Sequence, residues 1–417
     1  MQYHITTLGE PRYPSPLHRF VRDDLYVPER IIHGLPTPHE KLAFELAGPR
    51  ERLFFDPSQT RAGIVTCGGL CPGLNNIIRS LFNELRHAYG VKEVLGFRDG
   101  YRGLDPARGE KPLVLTPECV NDIHRHGGTV LGTSRGMVDT SAAVEYLARL
   151  GVNILFTVGG DGTQRGGNEL FQTARQRGQA LAVVGIPKTI DNDVPFVART
   201  FGFLTAVQEA SLVLDRAHAE ARSVHNGIAL VKVMGRHAGF IAAGATVASQ
   251  DVNFCLIPEV PFRLENFLAA LKQRIAERGH AVIVVAEGVG QEWLSDAGGE
   301  RDASGNVRLG DIASFLRDKI EVYFTSEKIP VVIRCFDPSY FIRSGPANSE
   351  DSILCDLFAR NAVHAAMAGK TGVVIGFLHD EFIHIPIELL ASRRKSIDPT
   401  GPVWAGVLAA TGQPKRL

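Results

Sequence analysis

The chain is short of several things, and each shortage narrows what it can be. Lys+Arg and Asp+Glu both number 45 in 417 residues, leaving no net charge at pH 7. Without excess positive charge there is no general attraction for nucleic acid or other long polyanions, although local basic clusters can still hold a small anion. Cysteine is sparse: the six (Cys67, Cys71, Cys119, Cys255, Cys335, Cys355) are scattered, mostly through apolar stretches. That is the usage of a reducing compartment and not of a disulfide framework. Cys67 and Cys71 lie close together in "CGGLC", but no second Cys/His pair with zinc-like spacing accompanies them, so they read as small residues beside a glycine turn. The opening "MQYHITTLGEPRYP" has no charged-then-apolar leader pattern. The longest apolar runs, such as "GFIAAGATVA", are about half of what a membrane span needs. These shortages predict a cytoplasmic, globular protein with neither membrane nor nucleic acid as a partner.

What is present is an alternation. Residues 1 to about 57 are rich in Pro, Arg and His without a sustained period, and read as an extension draped over or preceding the main fold. From Arg61, short β-type runs ("AGIVTC", "VNILFTV", "ALAVVGI", "GIALVKV", "VNFCLI", "HAVIVVAEG") alternate with amphipathic segments such as "LNNIIRSLFNELRHAYG" and "TQRGGNELFQTARQRG". Strands alternating with helices predict an α/β fold with mostly parallel sheets flanked by helices, and ligand sites at the strands' carboxyl ends. "LENFLAALKQRIAERG" and "SEDSILCDLFARNAVHAAMAG" have helical spacing and end at glycine. Between them, "GQEWLSDAGGERDASGNVRLG" reads as an exposed loop or lid.

Three strand ends run into phosphate-friendly turns. In "TCGGLCPGLNNIIRSL" the glycines allow close backbone approach and the helix start offers free N–H groups to an anion. It has neither G-x-G-x-x-G nor the Walker lysine, and alone it fits a plain strand-to-helix turn as well. In "VGGDGTQRGG" a carboxylate, Asp161, sits where phosphate would, which suits positioning Mg²⁺; the other reading is a helix N-cap. In "GIPKTIDNDV" Asp191 and Asp193 stand at i and i+2, a spacing that projects both carboxylates to one side of extended backbone. Two close carboxylates suit unequal roles, one accepting a proton and one ordering the site, though a D-N-D turn is also a common solvated loop.

"GGLCPGLNNIIR", "GFRDGYRGL", "GGTVLGTSRG", "GGDGTQRGG", "PKTIDNDV", "VKVMGRHAGFIA" and "VAEG" occur in the order and approximate spacing of the 6-phosphofructokinases. The chain resembles that family over roughly residues 61 to 390, and most closely its ATP-dependent branch with plant and trypanosomatid members. The resemblance implies two lobes with the active site in the cleft between them. A nucleotide lobe would cover 61–201, completed by 344–392, and a fructose 6-phosphate lobe 202–343, completed by 393–417; residues 1–60 would be the extension. It implies a glycolytic, allosteric homodimer or homotetramer that phosphorylates the 1-hydroxyl of fructose 6-phosphate with ATP and Mg²⁺.

By the same resemblance, Asp191 would be the general base, with Thr189 and Asp193 orienting the sugar and the metal, and Ile190 beside them. Asp161 would hold Mg²⁺. Gly68, Arg135, Gly136, Gly160, Gly162 and Thr163 would line the nucleotide site. Met234, Gly235 and Arg236 would contact the sugar phosphate, with Arg236 also facing the charge on the transferring group. Glu287 would accept hydrogen bonds from sugar hydroxyls, and Arg334, Tyr340 and Arg343 would hold the 6-phosphate.

Two departures stand out. Bacterial relatives carry an arginine nine residues before Arg236, where this chain has Gly227. The donor signals are mixed: Lys188 fits pyrophosphate enzymes, whereas Gly162 leaves the space a nucleotide needs. Steric exclusion outranks an added charge, so ATP is favoured over pyrophosphate; a non-catalytic regulatory subunit is the more remote alternative. "HDEFIH" reads as a polar hairpin tip and not a metal site. His237 would touch the sugar phosphate or pack locally, and "ASRRKS" reads as a solvated basic face or an effector-phosphate site.

Overall fold

The computed structural model describes residues 3–32, 42–108, 110–136, 138–294, 308–391 and 394–417. The chain divides into two compact units. One takes everything up to Thr189, then Val194–Gly202 and Ser344–Arg394; the other takes Ile190–Asp193, Phe203–Arg343 and Lys395–Leu417. The short loop Ile190–Asp193 groups with the second unit although both its flanks belong to the first.

The first unit is built on a nine-stranded sheet. Its order is Tyr26–Pro28, Ala43–Leu46, Glu381–Pro386, Val373–Leu378, Ala182–Pro187, Ile154–Gly159, Arg61–Thr66, Glu93–Phe97 and Leu113–Val114. From Val373–Leu378 to Glu93–Phe97 the strands run parallel, and the outer ones are antiparallel. Ile154–Gly159 and Ala182–Pro187 are buried at every position. Parallel strands covered on both faces are continuous apolar runs for this reason. Helices Leu74–Asn83, Asp161–Gln176 and Ser349–Met367 belong to this unit. The last starts where the Asn348 side chain accepts from the Asp351 N–H at 2.9 Å, and its chain turns off at Gly369, φ 79°.

Residues 1–60 are more than a drape. Ala43–Leu46 pairs with Glu381–Pro386 and carries Tyr26–Pro28 on its other side, so the segment lengthens the sheet. A buried ion network ties it down. Glu45 meets Lys370 at 2.5 Å, Arg50 at 2.7 Å and the Nδ1 of His384 at 3.0 Å. Burial opposes the charge on Glu45, but His384 and Lys370 outweigh it and hold its pKa down at about 2. This also corrects the reading of "HDEFIH". Only His379 and Asp380 form the tip, both with left-handed φ (54° and 63°), whereas His384 is a fully buried strand residue.

The second unit has four parallel strands in the order Phe254–Leu256, His280–Ala286, Gly227–Val233 and Val332–Phe336. Helices Phe203–Arg222, Phe240–Ser249, Leu264–Arg278 and Ile312–Ser326 belong to it. Leu264–Arg278 ends at Gly279, whose φ of 70° and N–H bond to Ile275 (2.8 Å) close the helix as its sequence predicted. Val233 is in register with Ala286, so the loops after these two strands leave the sheet side by side. Most of the expected lid, residues 295–307, lies outside the described residues. Among the described residues, no helix is long and apolar enough to cross a membrane.

Candidate active site

In the first unit three turns gather at the carboxyl ends of adjacent parallel strands. After Arg61–Thr66, the chain enters the Gly68–Gly69 turn, with Gly68 at φ 84°. Its N–H donates to the Ser134 carbonyl at 3.0 Å and its carbonyl accepts from the Thr133 hydroxyl at 2.7 Å. After Ile154–Gly159, Gly160 caps the helix Asp161–Gln176, its carbonyl taking the Thr163 and Gln164 N–H groups at 2.9 and 3.0 Å. Asp161 is therefore the first helical residue and not the cap, and it is exposed. Thr163 is buried behind it. The space over Gly162 is open: an added Cβ would meet only the Arg165 guanidinium, at 3.8 Å. Arg135 and Gly136 (φ 111°) are exposed on the segment that follows Ser134.

Lys188 joins these turns. Its backbone N–H bonds the Gly159 carbonyl at 3.0 Å, and its buried ammonium donates to the Gly69 carbonyl at 2.5 Å. The lysine thus helps set the shape of the Gly68–Gly69 turn. Thr189 follows, half-buried, its carbonyl accepting from the Thr200 hydroxyl at 2.7 Å.

In the second unit the chemistry is different. The stretch Ile190–Asp193 is not extended, as the i, i+2 argument assumed, because Asn192 is left-handed at φ 55°. Asp191 is half-buried, and its pKa is pushed well above the carboxylate range, to about 8. Burial is the largest cause, followed by the Asp193 and Glu287 carboxylates; the backbone N–H of Arg236 bonds Asp191 and, with the guanidinium charge, pulls the other way. Glu287 is also raised by burial, against the charges of Arg236, Lys232 and Arg343.

Backbone bonds hold these groups together. The Glu287 N–H donates to the Val233 carbonyl at 2.9 Å and the Gly288 N–H to the Gly235 carbonyl at 3.1 Å. Gly235, next to Met234, has φ 129°, and a Cβ there would lie 2.7 Å from the Ala238 carbonyl, so the turn requires glycine. Gly227 is equally constrained, since a Cβ would meet the Ala221 carbonyl at 2.1 Å. No arginine fits there without moving the backbone.

The 6-phosphate candidates are spread out. Arg343 is half-buried, acts on Glu287, and stacks its guanidinium 4.6 Å from the Tyr340 ring centre. Tyr340 is 75% exposed. Arg334 is exposed partway along the edge strand, in register with Ala229 and not with the strand ends.

Two lysines escaped the sequence reading. Lys232 forms ion pairs with Asp337 at 2.9 Å and Asp311 at 3.2 Å, and its charge acts on Glu287. Lys395 sits in "ASRRKS", read from the sequence as a solvated face or an effector-phosphate site; it is half-buried and its backbone N–H donates to the Asp193 carbonyl at 3.0 Å. No local pattern marks either residue, because each depends on a chain return from far along the sequence.

The phosphofructokinase family profile matches residues 61–366, and the chain belongs to that family. The ATP-dependent 6-phosphofructokinase of Borreliella burgdorferi is 46% identical over 99% of this chain and 97% of its own length. ATP-dependent 6-phosphofructokinase 7 of Arabidopsis thaliana is 43% identical, over 98% of this chain and 86% of its own. The Trypanosoma cruzi enzyme of the same name is 47% identical, over 92% and 80%. Among solved structures, the pyrophosphate-dependent phosphofructokinase of Marinobacter aquaeolei superposes with a TM-score of 0.70 at 20% identity, covering 84% of this chain and 91% of that one; this likeness concerns the fold alone.

Proposed function

We propose that this chain transfers the γ-phosphoryl group of ATP to the 1-hydroxyl of fructose 6-phosphate, giving fructose 1,6-bisphosphate and ADP. The observation that carries the reading is Asp191: a carboxylate held near neutral pH, beside a second carboxylate and an arginine, in a chain 43–47% identical to ATP-dependent 6-phosphofructokinases. A general base works best with its pKa near the working pH. Asp191 takes the hydroxyl proton, Asp193 and Thr189 orient the sugar beside Ile190, and Glu287 accepts from its other hydroxyls. Arg236 stabilises the negative charge spread over the transferring group. Met234, Gly235 and Arg343 serve the sugar phosphate, with Tyr340 and Arg334.

On the donor side, Gly68, Gly160, Gly162 and Thr163 let the nucleotide phosphates approach backbone N–H groups, with Arg135 and Gly136 flanking. Among the described residues no group of three or more His, Cys, Asp or Glu is arranged so that it could hold a metal ion by itself. A lone exposed Asp161 at a helix start fits Mg²⁺, which takes few protein carboxylates and shares phosphate oxygens. Bound there, Mg²⁺ would neutralise charge on the phosphates. The open space over Gly162 supports ATP. Lys188, although typical of pyrophosphate enzymes, has a backbone carbonyl to hold. A cytoplasmic homodimer or homotetramer completes the reading.

The test is fructose 1,6-bisphosphate formation from fructose 6-phosphate and Mg²⁺, with ATP and pyrophosphate in separate reactions. Turnover with ATP alone is expected. Turnover with pyrophosphate alone would overturn the donor assignment, and turnover with neither would favour a regulatory subunit.

A further inference from the structure

The second unit contains a brace made by a chain segment remote from both catalytic loops in sequence. The Lys395 N–H donates to the Asp193 carbonyl at 3.0 Å. Two residues on, the Ile397 N–H donates to the Glu259 carboxylate at 2.9 Å. The same carboxylate accepts the Gly239 N–H through both oxygens, at 3.1 and 3.0 Å, at the start of the helix Phe240–Ser249. Lys395–Ile397 therefore ties the loop carrying Asp191 and Asp193 to the segment that runs from Met234 through Arg236 to Gly239. The Lys395 ammonium also lies 5.1 Å from the ring centre of Phe240, the first residue of that helix.

The side chain is placed to act on Asp193. Burial pulls the Lys395 pKa down, to about 8, and the Asp193 carboxylate opposes it. Asp193 is in turn one of the charges facing Asp191, with Glu287 and Arg236. The Lys395 ammonium is attracted both by the Phe240 ring face and by the Asp193 carboxylate.

We propose that Lys395 is a positioning residue for the phosphoryl-transfer reaction: it holds Asp193, and through it Asp191, in line with Arg236. The proposal rests on the functional reading above. In this role Lys395 works through the carboxylates, so its loss should appear in kcat and not in KM. A misplacement of the base by about 1 Å is enough to cost roughly a hundredfold in rate.

The experiment compares wild type, Lys395→Met and Lys395→Arg in steady-state kinetics with ATP and fructose 6-phosphate, alongside thermal melts. Lys395→Met should lose about ten- to a hundredfold in kcat with KM for fructose 6-phosphate changed less than about threefold, while Lys395→Arg, which keeps the charge, should recover most of the loss. A Lys395→Met enzyme with wild-type kcat overturns the proposal. So does an equal loss in both variants, which would mean packing and not charge, or a rise in KM alone, which would make Lys395 a binding residue. If Lys395→Met does not fold, Lys395→Gln carries the same comparison. Wild type is the control for the underlying reading: no turnover by wild type defeats the functional assignment, whereas normal wild type with an unaffected variant defeats only the brace.

Discussion

Asp161 and Asp191 each come shortly after a strand of the same parallel sheet, and they meet opposite surroundings. Asp161 is exposed at a helix start among glycines, with room over Gly162. Asp191 is half-buried beside two further carboxylates and an arginine, and is held up to about 8. The first environment leaves the carboxylate open to solvent and within reach of a cation. The second makes its charge costly and so makes it a base near neutral pH. The same residue type, delivered by the same kind of turn, is assigned its task by what the chain packs around it.

The contrast can be broken at either end. The largest effect should come from Asp191→Asn, which removes the proposed proton acceptor and should lower kcat by about 10²–10⁴ while calorimetry still detects fructose 6-phosphate binding. A variant that turns over normally would remove Asp191 from the chemistry. Arg236→Ala should cost about 10²–10³ in kcat, the range for losing one charge-stabilising donor. If it raises KM alone, Arg236 only binds. On the donor side, Gly162→Asp fills the open space and should weaken ATP by about 1–3 kcal/mol, read as a raised KM for ATP at unchanged fructose 6-phosphate KM.

The smallest effect concerns stability. Asp191 has a folded pKa of about 8 against an ordinary 3.8, so the folded state binds the extra proton between those values. Its contribution to stability is present at low pH and is lost as pH rises from about 4 to about 8. Asparagine imitates the protonated form. The melting temperature of Asp191→Asn should therefore exceed wild type at pH 8.5 by about 2–4 °C and match it near pH 4. In the active enzyme kcat/KM should climb through the same upper region, and Glu287→Gln, which removes a neighbouring carboxylate, should move that climb to lower pH.

The parts of this molecule written in local pattern were legible in its sequence. Ile154–Gly159 and Ala182–Pro187 announce themselves as unbroken apolar runs because both faces are covered, and Gly279 and Gly369 end their helices as glycine does. The short strands Tyr26–Pro28 and Ala43–Leu46 are too brief to show a period, and only a distant partner makes them strands. The i, i+2 spacing singles out Asp191 and Asp193, but Asn192 between them is left-handed, so the backbone there is bent and not extended. His384 and Lys395 were misread as surface residues for one reason: each is covered or engaged by a segment far away in the chain.

The pairing of Ala43–Leu46 with Glu381–Pro386 has a consequence for how the protein is made. Glu45 and His384 are 339 residues apart. At a synthesis rate of about 5–20 residues per second, the first leaves the ribosome roughly 20–70 s before its partner exists. Throughout that interval Ala43–Leu46 can pair only with Tyr26–Pro28, and Glu45 lacks its later partners Lys370 and His384. The first unit can only finish its edge after translation is nearly over, so its last folding step is timed by the length of everything in between.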